Sequence, residues 1–160
     1  MKGGRTINVT KANQIAAACG ETAMSAWLQL VRVHEKLQHH ASSHLEDYDL
    51  TPAQYDVLAQ LIDAPGMTQQ ALAERLMVTK GNVCGLIDRM SERGFVQRRA
   101  DPEDRRANLL FVTDLGKEVA EKAIPAYAEF VRDHLAVLDA EEQRTLEALL
   151  RKVERSLEDH

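Results

Sequence analysis

Residues Phe95–Gly116, FVQRRADPEDRRANLLFVTDLG, decide the fold of this chain. Two short runs of alternating apolar residues flank a charged, proline-containing turn, Asp101–Arg106. Runs of this kind, joined by such a turn, predict a β-hairpin with strands over residues 95–99 and 108–112. Thr113 then predicts the start of a helix. The hairpin therefore presents an arginine-rich tip next to a helix.

Two short helices are predicted immediately before the hairpin. The first opens at Thr68, and the second opens at Thr79 after a tight turn around Met77 and Val78. Gly94 ends the second helix, because glycine readily adopts the left-handed conformation just past a helix end. Two short helices separated by a tight turn match a helix-turn-helix, and a basic hairpin placed after it predicts a winged DNA-binding domain.

Longer helical patterns flank this region. One spans residues 14–47, and Thr51-Pro52-Ala53-Gln54 opens another helix with a capping-box pattern. A third pattern runs from 114 to about 138, where Pro125 predicts a kink, and a fourth covers 140–157 after an Asp139 cap. The fold class is therefore mainly α with a small β-hairpin wing (α+β). In the helix after Thr51, four residues form the apolar stripe: Tyr55, Leu58, Ala59 and Ile62.

Composition and charge fit one globular domain with a locally basic surface. The 160 residues are 44% hydrophobic and 28% charged, with a net charge of −5. Within residues 79–106, however, seven basic side chains outnumber five acidic ones, and a phosphate-binding surface needs only a local positive face. No apolar run is long enough to span a membrane and no signal peptide is evident, which predicts a cytoplasmic protein with reduced thiols.

No catalytic motif stands out in the chain. A nucleophile elbow, a glycine-rich phosphate loop and a metal-ligand signature are all missing from the sequence. We therefore expect a protein that is not an enzyme and that carries no cofactor or metal.

The segments TPAQYDVLAQL (51–61) and TQQALAERLMVTKGNVCGLIDRMSERGFVQRRADPEDRRANLLFVTDLG (68–116) resemble the MarR family of bacterial transcription regulators. The most specific part is the wing, with Asp104, Arg106, Thr113 and Gly116 at the family's spacing. The resemblance implies a single MarR-type domain that forms a homodimer. Its helical dimerisation region would be 14–47 and 114–157, and its winged helix-turn-helix region would be 51–113.

The resemblance also implies which residues meet double-stranded DNA. The helix that starts at Thr79 would enter the major groove, where Asn82 can pair with adenine and Lys80 can reach guanine or phosphate. At the wing, Arg105 or Arg106 would insert into the minor groove, with Arg106 favoured, while Asp104 would pair with a neighbouring arginine to shape the turn. The full set of predicted DNA contacts is Thr79, Lys80, Asn82, Cys84, Arg98, Arg105 and Arg106.

Some basic residues and glycines of this region have secondary roles in the prediction. Arg98 and Arg99 alternate in direction along a strand, so one of them is expected to meet phosphate. Arg75 and Arg89 are lesser candidates for phosphate contacts, and a surface ion pair is the favoured role of each. Gly81 and Gly85 would leave the helix surface thin and allow close approach to DNA.

Finally, the resemblance implies a repressor that binds a pseudo-palindromic operator and is released by a small phenolic or aromatic acid. The effector would lie among residues of the first, second and fifth helices, with core packing as the alternative role: Trp27, Leu30, Val31, His34 and Tyr55. Other functions stay open. His39, His40 and His44 could sense a metal ion, Cys19 or Cys84 could sense oxidants, and the winged fold could serve protein association alone.

Overall fold

The computed structural model describes residues 20–102 and 108–158. Of these described residues, those up to His40, which include most of the first helix, form one compact unit, and those from Ala41 onward form a second. A mainly helical chain with one small antiparallel sheet confirms the predicted fold class. The elements in chain order are α1 (Glu21–Glu46), α2 (Pro52–Asp63), β1 (Met67–Thr68), α3 (Gln69–Arg75), α4 (Lys80–Glu92), β2 (Val96–Ala100), β3 (Asn108–Val112), α5 (Asp114–Leu135) and α6 (Ala140–Glu158).

Side-chain caps fix where the helices of the second unit begin. The hydroxyls of Thr51, Thr68, Thr79 and Thr113 each accept a hydrogen bond from the backbone N–H three residues on, at 3.0–3.3 Å. Such a bond satisfies one of the free N–H groups of a first helical turn. At α6 the Asp139 carboxylate has the same role. All five predicted helix starts are therefore confirmed.

The sheet has the order β1-β3-β2, with both pairs antiparallel. The predicted hairpin is confirmed, but its first strand begins at Val96, because the amide of Phe95 bonds to Met90 O at 2.9 Å and so belongs to the end of α4. Strand β1 was not predicted. It contains only Met67 and Thr68, which is too short for an alternating pattern to show.

One apolar core joins the helices and the sheet of the second unit. Val57, Leu58 and Leu61 of α2 are fully buried, whereas Ile62 is 41% exposed and Tyr55 is half-buried. The buried face of α2 is therefore shifted from the predicted stripe, of which Leu58 is buried, Tyr55 and Ala59 are half-buried and Ile62 is exposed. The reason is that α2 packs against both α5 and β3, so its buried face follows these two neighbours rather than the widest apolar row.

The two C-terminal helices differ in how much of their surface the chain covers. Helix α5 continues through Pro125 to Leu135, three residues short of the predicted end; the expected kink stays a prediction. It buries Gly116, Ala120 and Ala123. None of the residues of α6 whose side chains are described is buried. Its apolar row is 38–74% exposed in the single chain and consists of Leu146, Leu149, Leu150, Val153 and Leu157.

The turn between α3 and α4 contains a strained residue, Met77. Its φ is +52° and its side chain is 85% exposed, so no packing offsets the steric cost of a left-handed conformation. We expect Met77→Gly to raise the free energy of unfolding by about 0.5–1 kcal/mol, seen as a higher urea midpoint at an unchanged m-value. Val78, whose φ is not positive, supplies the control: Val78→Gly should lower the midpoint, and a lower midpoint for both variants would contradict the strain.

Candidate nucleic-acid interface

Helix α4 has one buried side and one exposed side. Val83, Ile87 and Met90 pack into the core. Thr79, Lys80 and Asn82 are exposed at the N-terminal end. These are three of the four side chains that the sequence predicts to face outward. A helix with this exposed polar leading edge can place amide, hydroxyl and ammonium groups against the edges of bases.

Cys84, the fourth predicted contact, lies at the edge of this surface. It is half-buried, and Gln69 Nε2 donates to its sulfur at 3.6 Å. The thiol therefore packs toward α3 instead of projecting from the helix.

Two glycines lower the exposed surface of α4. A Cβ built on Gly81 would have no atom within 4 Å, and one on Gly85 would meet only Arg89 Nη1 at 3.6 Å. Neither has a positive φ, so the fold tolerates alanine at both positions. Each glycine costs helix stability, about 1 kcal/mol relative to alanine. The predicted role of these glycines in close approach to DNA stays a prediction.

A groove of about 440 Å³ lies beside α4 and includes Asp56, Asn82 and Arg89 in its lining. Partial burial raises the pKa of the Asp56 carboxyl. Arg89 makes no ion pair with another residue of 20–102 or 108–158. Arg75, by contrast, pairs with Asp63 at 3.3 Å, which confirms its predicted role.

The wing arginines of β2 point in different directions, as their alternation predicts. Arg98 Nη2 lies 2.6 Å from Asp88 Oδ1 of α4, so this ion pair joins the wing to the helix. The guanidinium of Arg99 lies over the Phe111 ring, 4.4 Å from its centroid, and its residue is exposed. Arg99 is thus the strand arginine better placed to meet phosphate. Sequence reasoning favoured Arg98 because it did not foresee Asp88 as a partner.

The tip of the wing lies outside the described residues. The roles assigned to Asp104, Arg105 and Arg106 therefore stay predictions.

Four of the five predicted effector residues, all on α1, belong to the first unit. Trp27 and Leu30 are 57% and 41% exposed, His34 is exposed and Val31 is half-buried. The fifth, Tyr55, belongs to the second unit.

Tyr55 belongs to an aromatic cluster in the second unit, made of His44, Tyr55, Tyr127 and Phe130. The centroids of the Tyr55 and Tyr127 rings are 4.3 Å apart, and Phe130 lies 5.4 Å from Tyr127 and 5.3 Å from His44. His44 Nε2 is buried and has no hydrogen-bond partner within the described part of the chain. The sequence signal that was missed is the aromatic pair at positions 127 and 130, three residues apart on one helical face.

The surroundings raise the pKa of both phenol groups of the cluster. Burial raises the pKa of Tyr55, with smaller contributions from Tyr127 and Asp56, and burial followed by the Asp56 charge raises the pKa of Tyr127. A phenol is already protonated at neutral pH with its ordinary pKa of about 10, so both hydroxyls can donate hydrogen bonds. The cluster combines aromatic faces with polar edges.

The metal-sensing and thiol-sensing alternatives rest on the histidines of α1 and on Cys19 and Cys84. Within 20–102 and 108–158, no group of three or more His, Cys, Asp or Glu side chains could hold a metal ion. The rings of His39 and His40 meet edge-on, 6.1 Å apart. Cys19 lies outside the described residues.

Within residues 20–102 and 108–158, no helix has the length and apolar character that crossing a bilayer requires.

Known proteins are similar to this chain in both sequence and architecture. Residues 48–107 match the model of the MarR family. The transcriptional regulator HosA of Escherichia coli is 37% identical over 116 residues, which cover 72% of this chain and 86% of HosA. A mutant of MarR from E. coli, solved in complex with operator DNA, superposes with a TM-score of 0.78 at 27% identity, over 84% of this chain and 97% of that one.

A third relative is known with a ligand. The PcaV transcriptional regulator of Streptomyces coelicolor, solved with its natural ligand, superposes with a TM-score of 0.68 at 28% identity, over 78% of this chain and 91% of PcaV. The match to the family model, the extent of the HosA alignment and the exposed leading edge of α4 beside an arginine-bearing wing agree with one another. The chain belongs to the MarR family of winged-helix, DNA-binding transcriptional regulators.

Proposed function

We propose that this regulator is a homodimeric repressor that binds a pseudo-palindromic operator through α4 and the wing, and that a small aromatic acid releases it. The observation that carries the proposal is the exposed N-terminal edge of α4, with Lys80 and Asn82 on one side and a fully buried core face on the other. The sense of regulation, repression, follows the family resemblance.

The reading surface combines base contacts with phosphate contacts. The amide of Asn82 can donate to and accept from one adenine edge, and the Lys80 ammonium can reach a guanine acceptor or a phosphate. Gly81 lies between them and lets the helix enter the groove more deeply. Arg99 adds a positive charge on the wing strand, while Arg106 is the proposed minor-groove contact.

The apolar row of α6 supports a dimer. Its five side chains recur every three or four residues and stay exposed in the single chain. Val137, just past the end of α5, is exposed as well, at 84%. An apolar surface this long on a monomer indicates an interface, and closed two-fold pairing is its commonest form. A two-fold dimer presents two copies of α4, which is why we propose a pseudo-palindromic operator.

The aromatic cluster supports an aromatic effector. A planar ring can stack on the faces of Tyr127 and Phe130, and an acidic group can accept a hydrogen bond from a tyrosine hydroxyl or from His44 Nε2. Because that nitrogen is buried and has no partner among the described residues, a ligand that pairs with it gains more than one bound at a hydrated surface would.

The first test is a titration of the purified protein against its own upstream intergenic DNA, with random duplex as competitor, at two salt concentrations. We expect specific binding that weakens as salt rises, and release by phenolic acids but not by zinc or peroxide. Equal, weak binding to both duplexes with little salt dependence would instead favour a protein-association module. Release by zinc or peroxide would favour the metal-sensing or thiol-sensing alternative.

The wing is tested by Arg106→Ala, with Arg144→Ala on the exposed surface of α6 as the control. We expect Arg106→Ala to abolish operator binding in a gel shift at fixed salt and to leave the dimer folded. Unchanged affinity would remove Arg106 from the interface.

Gly81→Ala separates stability from DNA binding. Because the new methyl group meets no protein atom, the free energy of unfolding should rise by about 1 kcal/mol. Operator affinity should fall, since the same methyl group stands between helix and bases. Thr145→Ala, on exposed α6, is the control for helix propensity alone. Increased stability with undiminished affinity would show that α4 does not approach DNA at Gly81.

A further inference from the structure

Arg93, the residue that follows α4, makes four contacts with protein groups. Its Nη2 donates to the backbone O of Asp49 at 2.7 Å and lies 2.5 Å from the Asp49 carboxylate. Its Nη1 donates to Gln54 Oε1 at 3.3 Å. The guanidinium also lies over the ring of Phe95, 4.4 Å from the centroid. One side chain thus joins the end of the recognition helix to the segment after α1 and to the first turn of α2.

The start of α5 attaches to the same place. The Thr113 hydroxyl lies 2.5 Å from Gly94 O and 3.2 Å from Phe95 O, and the Thr113 amide donates to Phe95 O at 3.0 Å. Residues 93–95, which we call the corner, therefore contact the segment after α1, the start of α2 and the start of α5. Movement of any of these three segments would therefore displace the C-terminal end of α4.

The partners of Arg93 are themselves held in particular states. Asp49 has a φ of +53°, the left-handed region that non-glycine residues seldom adopt. Gln54 is the one buried polar residue identified in the described core, and its Oε1 also accepts from the Thr51 amide of the capping box. A strained backbone and a buried amide that both face one guanidinium indicate a site built around that group, because a planar fork can reach separate acceptors at once.

We infer that Arg93 is a positioning residue for operator recognition: it sets the placement of α4 without touching DNA. This inference rests on the proposed function of α4 as the reading helix. Arg93 donates to protein acceptors through both Nη1 and Nη2, and its side chain is only 30% exposed, so protein contacts rather than phosphate occupy it. Loss of these contacts would leave every base-contacting side chain present but misplaced.

The test uses the full-length chain with Arg93→Gln, Arg93→Lys, Asp49→Asn and the double variant Asp49→Asn/Arg93→Gln. We expect Arg93→Gln to weaken operator binding about tenfold, within the usual range for coupled sites, with random-duplex affinity and the salt slope unchanged. Lysine, a single point charge, should restore only part of the affinity. The double variant should be no worse than Arg93→Gln alone, because both changes break one interaction.

Two results would overturn the inference. A loss shared by both duplexes, with a salt slope lower by about one, would make Arg93 a phosphate contact. An unchanged Kd for the folded fraction, with only a lower melting temperature, would give it a stabilising role alone.

Amide hydrogen exchange of the DNA-free protein provides a separate readout. In Arg93→Gln, protection should fall in the last turn of α4 before it falls in the α2 core, and equal protection in both forms would contradict a positioning role. If the wild-type chain shows no operator preference, the proposed function fails on its own, while hydrogen exchange still decides whether Arg93 holds α4.

Discussion

Gly116→Ala will unfold the winged domain. An added Cβ would lie 2.2 Å from Phe95 O and 2.7 Å from Val112 Cγ1. The Phe95 carbonyl cannot move away, because the Thr113 amide bonds to it and Phe95 is itself buried in the core. We expect a loss of at least about 3 kcal/mol in the free energy of unfolding, at the upper limit for overpacked sites, measured by urea denaturation followed by circular dichroism.

The matched control is the same change at Gly85. Its new Cβ would make one ordinary contact, at 3.6 Å from Arg89 Nη1. Gly85→Ala should therefore fold at least as stably as the wild type. A Gly116→Ala protein that melts close to the wild type would show that α5 can shift away from the hairpin, contrary to the close contact described here.

Leu149→Glu will separate the dimer that we propose. Leu149 lies in the middle of the exposed row of α6 and is 58% exposed in the single chain, so a carboxylate there costs the monomer little. A two-fold interface would bury two of these carboxylates, one from each protomer, and burial of an unpaired charge costs much free energy. We expect the dimer Kd to rise at least about 100-fold, or 2.7 kcal/mol, in sedimentation velocity, and operator affinity to fall with it.

Ala148→Glu is the control for charge and helix propensity. At 100° per residue, Ala148 lies on the side of α6 opposite the apolar row, and it is exposed. It should leave the oligomeric state and DNA binding unchanged. A Leu149→Glu protein that sediments like the wild type would place the interface elsewhere and overturn the assignment of α6.

The features predicted correctly from sequence are those whose cause is local. A threonine caps a helix through an amide three residues away, so Thr51, Thr68, Thr79 and Thr113 could each be recognised from a few neighbours. The hairpin could be predicted for the same reason, because its alternating apolar residues and its turn occupy one continuous segment.

Features that depend on distant partners could not be predicted. Arg93 and Asp49 are 44 positions apart, and nothing in either neighbourhood indicates the other. Asp88 and Arg98 are closer in sequence, yet their pairing requires the register of β2 against α4. The buried face of α2 depends likewise on two neighbours that periodicity does not reveal.

The candidate site was predicted in part. Sequence reasoning identified the exposed edge of α4, since polarity at a helix start is a local property. It named the first, second and fifth helices as walls of the effector site and chose side chains such as Trp27, a choice that stays a prediction; the aromatic cluster adds Tyr127 and Phe130 of the fifth helix, α5. In the sequence, aromatic residues on an apolar stripe are equally compatible with core packing. Only the distances between the rings in the structure show that they form a cluster.

The Asp88–Arg98 ion pair bears on how salt governs DNA binding. Affinity for DNA falls with salt because cations condensed on phosphates return to bulk solution when protein charges replace them. Arg98 is already neutralised at 2.6 Å by a carboxylate of its own chain, so it displaces few cations. A count of the basic residues near the duplex will therefore overstate the steepness of the salt curve. At the interface that we propose, the curve will instead follow charges such as Lys80 and Arg99, which make no ion pair with any other residue that the structure describes.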